Sequence, residues 1–166
     1  MKLLKTGLTL AVALLVIDAQ TVQAATTPTN FQVTATVNSA CTVSATNLAF
    51  GVYDPSAAAN DKTSTITVTC TLATGYDIGL NAGVAAGATV TTRQMKESVL
   101  PDQINYSLFS DASRTVNWGN TVGTDTVHVA SALGTPEVHT VYGRISTGQY
   151  VTAGSYADTI TVTVTY

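Results

Sequence analysis

The last eight residues of the chain constrain its fold more than any other segment. Apolar and threonine side chains alternate strictly there, and one face carries Ile160, Val162, Val164 and Tyr166 while the other carries only threonine. Successive side chains of a β-strand point to opposite faces of its sheet, so this period of two predicts a half-buried strand. The segment contains no Lys or Pro to protect an exposed sheet edge, and no hairpin partner follows it. We therefore expect this edge to pair with another strand.

The same alternation recurs in shorter segments along the chain. They cover residues 65–70, 76–80, 104–109, 126–130 and 138–145, with turn signals between them. The 31 threonines among 166 residues favour sheet over helix. Short strands at this spacing predict one antiparallel β-sandwich of immunoglobulin-like type. The Ala- and Gly-rich stretch 81–88 is expected to be a surface loop.

The first 24 residues have the pattern of a secretory signal peptide. Lys2 and Lys5 precede an apolar run from Leu8 to Ile17, and small residues at positions 22 and 24 suit cleavage after Ala24. The apolar run is shorter than the roughly 20 residues that span a bilayer, which argues against a membrane anchor. We expect an exported mature chain with no direct membrane insertion.

Export determines the expected state of the two cysteines. Cys41 and Cys70 form an even pair, and in an oxidising compartment such a pair predicts one disulfide. The alternative, a metal or redox site, lacks both the CxxC spacing and a neighbouring histidine.

A second strand without an obvious partner is predicted near the start of the mature chain. Phe31, Val33, Ala35 and Val37 alternate with polar residues after a flexible leader, residues 25–30. Two interpretations are open. The segment either pairs within its own sheet as the first strand of the domain, or is donated to the next molecule to complete that molecule's sheet. Head-to-tail donation does not close on itself and would produce a filament.

Charge and motif content exclude several classes of function. A net charge of −3 and a pI near 5.0 argue against nucleic acid and anionic lipid as partners, because either would need a clustered basic surface. His128 and His139 have no metal-ligand spacing and no neighbouring nucleophile motif, so neither a catalytic site, a metal nor a cofactor is expected. Asp54, Asp111 and Asp158 lie at turn signals, where Asp commonly binds its own backbone.

Six blocks of sequence, in order, resemble the spore coat protein U family. They are Leu48-Ala49-Phe50-Gly51-Val52-Tyr53-Asp54-Pro55, Thr67-Val68-Thr69-Cys70-Thr71, Asn105-Tyr106-Ser107-Leu108-Phe109-Ser110-Asp111, Arg114-Thr115 with Trp118-Gly119, Val141-Tyr142-Gly143-Arg144-Ile145, and Gly154-Ser155-Tyr156-Ala157-Asp158-Thr159. Together with both cysteines they cover nearly the whole mature chain. The family includes subunits of archaic chaperone-usher pili of Gram-negative bacteria.

The resemblance implies an incomplete immunoglobulin-like antiparallel β-sandwich that is completed by donor-strand complementation. A periplasmic pilus chaperone would fill the gap first, and the N-terminal strand of an identical or related subunit would replace it, with an outer-membrane usher as a further partner. The implied organisation is a signal peptide (1–24), a donor extension (25–38) and a pilin domain (39–166).

The resemblance also implies roles for residues and for the protein. Donor side chains are Phe31, Val33, Ala35 and Val37, and the acceptor edge that binds the chaperone consists of Ile160, Val162, Val164 and Tyr166. The chaperone would hold the terminal carboxylate with basic groups. The expected function is a structural, non-enzymatic subunit of a surface fibre that supports adhesion or biofilm formation. The alternative is a self-complemented secreted coat protein or binding module.

Overall fold

The structure is a computed structural model that describes residues 22–166. The predicted signal peptide lies almost entirely outside this range. The described chain is all-β, with strands β1 (Cys41–Ala45), β2 (Asn60–Cys70), β3 (Tyr76–Leu80), β4 (Arg93–Glu97), β5 (Gln103–Phe109), β6 (Val127–Val129), β7 (Glu137–Ile145), β8 (Tyr156–Ala157) and β9 (Val162–Thr165). Residues 22–35 and residues 36–166 are separate units, and every strand lies in the second. Between residues 22 and 166, no helix is long and apolar enough to cross a membrane.

The strands form two antiparallel sheets, as the alternating pattern predicts. The larger sheet has the order β1-β2-β7-β5-β4-β8 and the smaller has the order β6-β3-β9. β2 is the longest strand, and it pairs with β7 from Asn60 opposite Ile145 to Val68 opposite Glu137. Within the described residues this order leaves four strands at sheet edges, β1 and β8 in the larger sheet and β6 and β9 in the smaller, each paired along one side.

The core is built from one face of each sheet. On β2 the buried residues Ile66 and Val68 alternate with half-buried threonines, as a period of two requires. On β3, Ile78 and Leu80 are buried from the smaller sheet. Trp118 is also buried, and its indole N–H donates to the Ile78 carbonyl at 2.8 Å, which satisfies its one polar group.

Most predicted strands are present, and the differences have local causes. The strand predicted over 76–80 is β3 itself, whereas β4 was not predicted because Arg93–Glu97 is mostly polar. The C-terminal strand predicted over 159–166 is wrong in its extent, since β9 covers only Val162–Thr165. At Thr161 the regular ladder ends because the Asn81 carbonyl accepts the Arg93 Nε–H at 2.8 Å, and the Thr161 N–H donates instead to the Asn81 side chain at 2.9 Å.

The predicted disulfide between Cys41 and Cys70 is formed. It joins the first residue of β1 to the last residue of β2, and the two residues lie opposite each other in the β1–β2 register. The bond therefore fastens an edge strand to the one strand of residues 22–166 with which it pairs.

Candidate functional site

The open edge of β9 presents backbone groups without a ladder partner. β9 pairs only with β3, from Leu80 opposite Val162 to Asp77 opposite Thr165. The Asn81 N–H donates to the Thr161 carbonyl at 3.2 Å, which fixes the threonine backbones as those facing β3. Antiparallel pairing alternates, so the backbone N–H and C=O groups of the intervening residues face the open side. These intervening residues are Ile160, Val162 and Val164.

The same three residues direct apolar side chains toward the core. Ile160, Val162 and Val164 are half-buried and pack against the core residues. The structure thus brings three of the four predicted acceptor residues together on one edge. Tyr166 follows the end of β9, is 60% exposed and does not line the groove described below.

The edge strand β1 of the larger sheet is open in the same way. The Thr46 N–H donates to the Thr65 carbonyl at 2.9 Å, which leaves the backbone groups of Val43 and Ala45 on the side away from β2. Val43 lies opposite the fully buried Val68 and therefore projects from the core face of the sheet. Its side chain is nevertheless 43% exposed, because nothing in the described chain covers this part of the core face.

A groove with both polar and apolar lining residues lies beside the open edges of β1 and β9. Its first part has a volume of about 520 Å³ and runs between residues 45–48 and residues 159–162. The second part, about 700 Å³, continues between residues 48–53 and 151–156, and the two parts share Leu48, Phe50, Met95 and Tyr156. The floor is formed by core side chains, among them Ile66, Leu80, Leu108, Val141 and Ile145. We call this whole space the acceptor groove.

The strands β1 and β9 lie close together without pairing. The Cα atoms of β1 and β9 approach within 8 Å, yet no ladder joins the two strands. Beside the open edge of β9, the groove is an opening lined by side chains of the core.

The predicted donor segment has the properties of an unpaired strand. Residues 22–40 belong to none of the nine strands, and the side chains of Phe31, Val33 and Val37 are 87%, 82% and 82% exposed. Ala35 is exposed as well. At about 3.3 Å per residue, the six steps from Phe31 to Val37 span roughly 20 Å, which equals the length of the six steps from Ile160 to Tyr166.

The two histidines make polar contacts with different residues. His128 on β6 is exposed, and its Nδ1 lies 3.1 Å from Oδ2 of Asp77. The Nε2 of His139 lies 3.0 Å from the Tyr76 hydroxyl, and burial lowers the pKa of His139. Within residues 22–166, no group of three His, Cys, Asp or Glu side chains is placed to hold a metal ion.

The three aspartates considered as a carboxylate site bind backbone N–H groups near them, as predicted for turns. Each accepts such a hydrogen bond at 2.8 Å, Asp54 from Ser56, Asp111 from Val116 and Asp158 from Thr159. Asp158 also accepts a hydrogen bond from the Tyr106 hydroxyl at 2.7 Å. Their carboxylates are therefore used to hold loops.

The sequence did not reveal a buried polar cluster around Arg93, at the end of β3 next to β9. Arg93 is fully buried and donates to backbone carbonyls of Leu80, Asn81, Val90 and Trp118. Burial lowers the pKa of Arg93, and the negative charges of Asp125 and Asp158 oppose that shift. A single arginine after a small-residue loop gave no signal that its charge would be buried.

These observations define a class of protein. It is an immunoglobulin-like sandwich with an open edge strand beside a groove. The profile of the Spore Coat Protein U domain family matches residues 27–163, and the chain belongs to this family. The resemblance stated from the six sequence blocks is thereby confirmed. Membership places the chain among structural, non-enzymatic proteins.

One relative and one solved structure are similar to this chain. The chain is 37% identical over 158 residues to Protein U of Myxococcus xanthus, and the match covers 87% of each protein. Its fold is similar to that of a chain in the CsuC–CsuE chaperone–tip adhesion subunit pre-assembly complex from archaic chaperone-usher Csu pili of Acinetobacter baumannii. That likeness has a TM-score of 0.60 at 23% identity and covers 79% of this chain but only 41% of the other.

Proposed function

We propose that this protein is a structural subunit of a surface fibre and that it polymerises by donor-strand exchange. Residues 31–37 of one copy would complete the sheet of the next copy at β9. One observation carries the proposal: the open edge of β9 presents free backbone groups and half-buried apolar side chains beside the acceptor groove. Adding a strand to such an edge supplies main-chain hydrogen bonds, and the alternate side chains give specificity.

The donor segment complements this edge chemically. Its apolar side chains recur every second residue, as do the free backbone groups of the β9 edge. Burying a Val or Phe side chain that was exposed stabilises a contact by roughly 1.5–3 kcal/mol. Phe31, Val33 and Val37 are exposed in the single chain, so this stabilisation is available only to an assembly or a rearranged chain.

The local geometry disfavours a hairpin between residues 31–37 and β1, and this supports donation of the segment to another copy. Ala40 is held to Thr71 on both sides, because its N–H donates to Thr71 Oγ1 at 3.0 Å and its carbonyl accepts the Thr71 N–H at 2.9 Å. Only Asn38 and Ser39 remain to reverse the chain after Val37. Two-residue hairpin turns require positive φ angles that favour Gly, Asn or Asp, and Ser39 is poorly suited to them.

A periplasmic chaperone and an outer-membrane usher are the further partners that we infer. An uncovered groove beside an open strand edge is an aggregation hazard, so an exported subunit needs a protein that covers it before assembly. Tyr166 is exposed, so its side chain is accessible to such a chaperone. Residues 1–24 would direct export to the periplasm, and the finished fibre would support adhesion or biofilm formation at the cell surface.

A self-complemented coat protein is the second candidate function. The 37% identity to Protein U and the spore-coat description of the family favour it. In that case residues 31–37 would fill the acceptor groove of their own chain, and the secreted protein would be a stable monomer.

Deletion of residues 25–37 tests the proposal. Expressed with the chaperone and usher of its operon, the variant should form a one-to-one complex with the chaperone but no SDS-resistant ladder. A deletion of residues 25–30 alone removes the leader, keeps the donor segment and should assemble normally. Normal fibres from the longer deletion would refute donor-strand exchange. A full mature chain that refolds cooperatively to a monomer without chaperone would establish the second candidate instead.

A further inference from the structure

Asn81 holds the residue that precedes the open β9 edge. Its backbone N–H donates to the Thr161 carbonyl at 3.2 Å, and its side-chain Oδ1 accepts the Thr161 N–H at 2.9 Å. The same Oδ1 accepts the Gly83 N–H at 3.2 Å. One residue thus satisfies both backbone groups of Thr161 at the point where the regular β3–β9 ladder has ended.

Asn81 is itself fixed from the core side. Its carbonyl accepts the Nε–H of the buried Arg93 at 2.8 Å, and the neighbouring Leu80 carbonyl accepts an Nη2–H of Arg93 at 2.9 Å. Arg93 has a rigid planar fork of donors, so these bonds fix the end of β3 as well as the start of the following loop. The loop at Asn81 is therefore held in one position.

Thr159, the residue that precedes Ile160, is also held by a hydrogen bond. Asp158 accepts the Thr159 N–H and the Val84 N–H, each at 2.8 Å, and binds the Tyr106 hydroxyl through its second oxygen. Gly83 has φ +88°, and a Cβ there would lie 1.9 Å from the Asp158 carboxylate. Because the backbone of Gly83 lies so close to the Asp158 carboxylate, this position requires glycine.

These contacts leave Ile160 between two restrained neighbours. Thr159 and Thr161 are each held by a hydrogen bond from the loop or from Asp158, while the backbone groups of Ile160 face the open side. The acceptor groove is lined at this end by Thr159 and Ile160. A binding edge whose shape is fixed in advance loses less conformational entropy when a partner strand pairs with it.

We propose that Asn81 is a positioning residue for strand uptake, holding Thr161 so that Ile160 and Val162 present their backbone groups in strand geometry before a donor arrives. The proposal rests on the function proposed above. Asn81 belongs neither to the predicted donor side chains nor to the predicted acceptor edge. Arg93 acts behind Asn81, as the group that holds the loop in place.

The test compares three variants of the full mature chain. Asn81→Ala removes the acceptor for two backbone N–H groups, whereas Asn81→Asp keeps an oxygen at that place and should rescue. Asp111→Ala is the matched control, because Asp111 accepts backbone N–H groups of Thr115 and Val116 in a loop that does not line the acceptor groove. Unfolding in urea should show similar stability losses for the two alanine variants.

The readouts are hydrogen exchange at the Thr161 amide and the association rate of a labelled peptide of residues 29–39. Measurements are made at a protein concentration where light scattering reports monomers. Asn81→Ala should exchange faster at Thr161 and take up the peptide about fivefold to tenfold more slowly, the equivalent of about one lost hydrogen bond. Asp111→Ala should match the wild type in both readouts, and Asn81→Asp should restore the rate.

The failure of this inference is distinguishable from the failure of the proposed function. If the wild type takes up the peptide and Asn81→Ala takes it up as fast as Asp111→Ala does, Asn81 only supports the fold and the positioning role is overturned. If Thr161 exchange is unchanged in Asn81→Ala, the role is overturned whatever the peptide does. If the wild type never takes up the peptide, donor-strand uptake itself is overturned, and the positioning role with it.

Discussion

A carboxylate placed on the donor segment should separate assembly from folding. We consider Val33→Asp and, as the matched control, Thr34→Asp, which introduces the same charge one residue later on the opposite face of the segment. Val33 is 82% exposed in the described chain and lies outside every strand. Surface substitutions of this kind change stability by no more than about 0.5 kcal/mol, so both variants should unfold like the wild type.

The effect on assembly should be large for one variant only. In a donated strand the side chain of Val33 enters the acceptor groove, so Val33→Asp forfeits roughly 1.5–3 kcal/mol of apolar burial. The new carboxylate is also an unpaired polar group among core side chains, which costs about a further 1–3 kcal/mol. The sum corresponds to a loss of subunit affinity of more than about 50-fold. Thr34→Asp points outward in the same strand and should assemble nearly as the wild type does.

The assay pairs urea unfolding of the monomer with SDS-resistant ladders and light scattering of the assembled material. Equal assembly by Val33→Asp and wild type would refute the reasoning, and so would equal impairment by both aspartates. A loss of monomer stability above about 1 kcal/mol in Val33→Asp would show that the segment is buried in its own chain.

Three further predictions concern the domain itself. Replacing both Cys41 and Cys70 by Ser removes a crosslink with a sequence separation of 29 and should lower the free energy of unfolding in urea by roughly 3.5 kcal/mol; a loss below 1 kcal/mol would contradict this. Burial lowers the pKa of His139 in the folded state, so the unfolded chain binds that proton more readily and stability should fall as pH drops below about 6.5. Between pH 7.5 and 5.5, His139→Gln should flatten this slope, and an unchanged slope would exclude His139 as its cause. Arg93→Lys keeps the charge but cannot serve four carbonyls from a fixed fork, so thermal and urea unfolding should show a loss of about 3 kcal/mol or more. Stability within 1 kcal/mol of wild type would mean that the carbonyls find other partners.

The part of the fold that follows from local alternation was predictable. Residues 76–80 and the apolar face of Ile160, Val162 and Val164 repeat with a period of two, and side chains in such a pattern sort themselves between core and surface. The unprotected character of the C-terminal edge was also visible, because it depends only on which residues are absent from that strand.

The rest depends on contacts between distant parts of the chain. The groove exists because β1 lies near β9, more than 110 residues later in the sequence, and no local pattern encodes that neighbourhood. The burial of Arg93 depends on carbonyls that other segments supply, including Trp118. Likewise the shortening of β9 follows from the binding of the Asn81 carbonyl by Arg93, and Asn81 has the sequence pattern of an ordinary loop asparagine.

The central claim is that the groove of one copy accepts residues 31–37 of another, and mixing two incomplete variants tests it most directly. A chain lacking residues 25–37 offers only a groove. A chain with Ala45→Trp offers only a donor, because Ala45 is exposed, lines the acceptor groove and can be enlarged to fill it. Light scattering should report monomers for each variant alone and a one-to-one heterodimer for the mixture. Monomers in the mixture, or oligomers of either variant alone, would contradict the account.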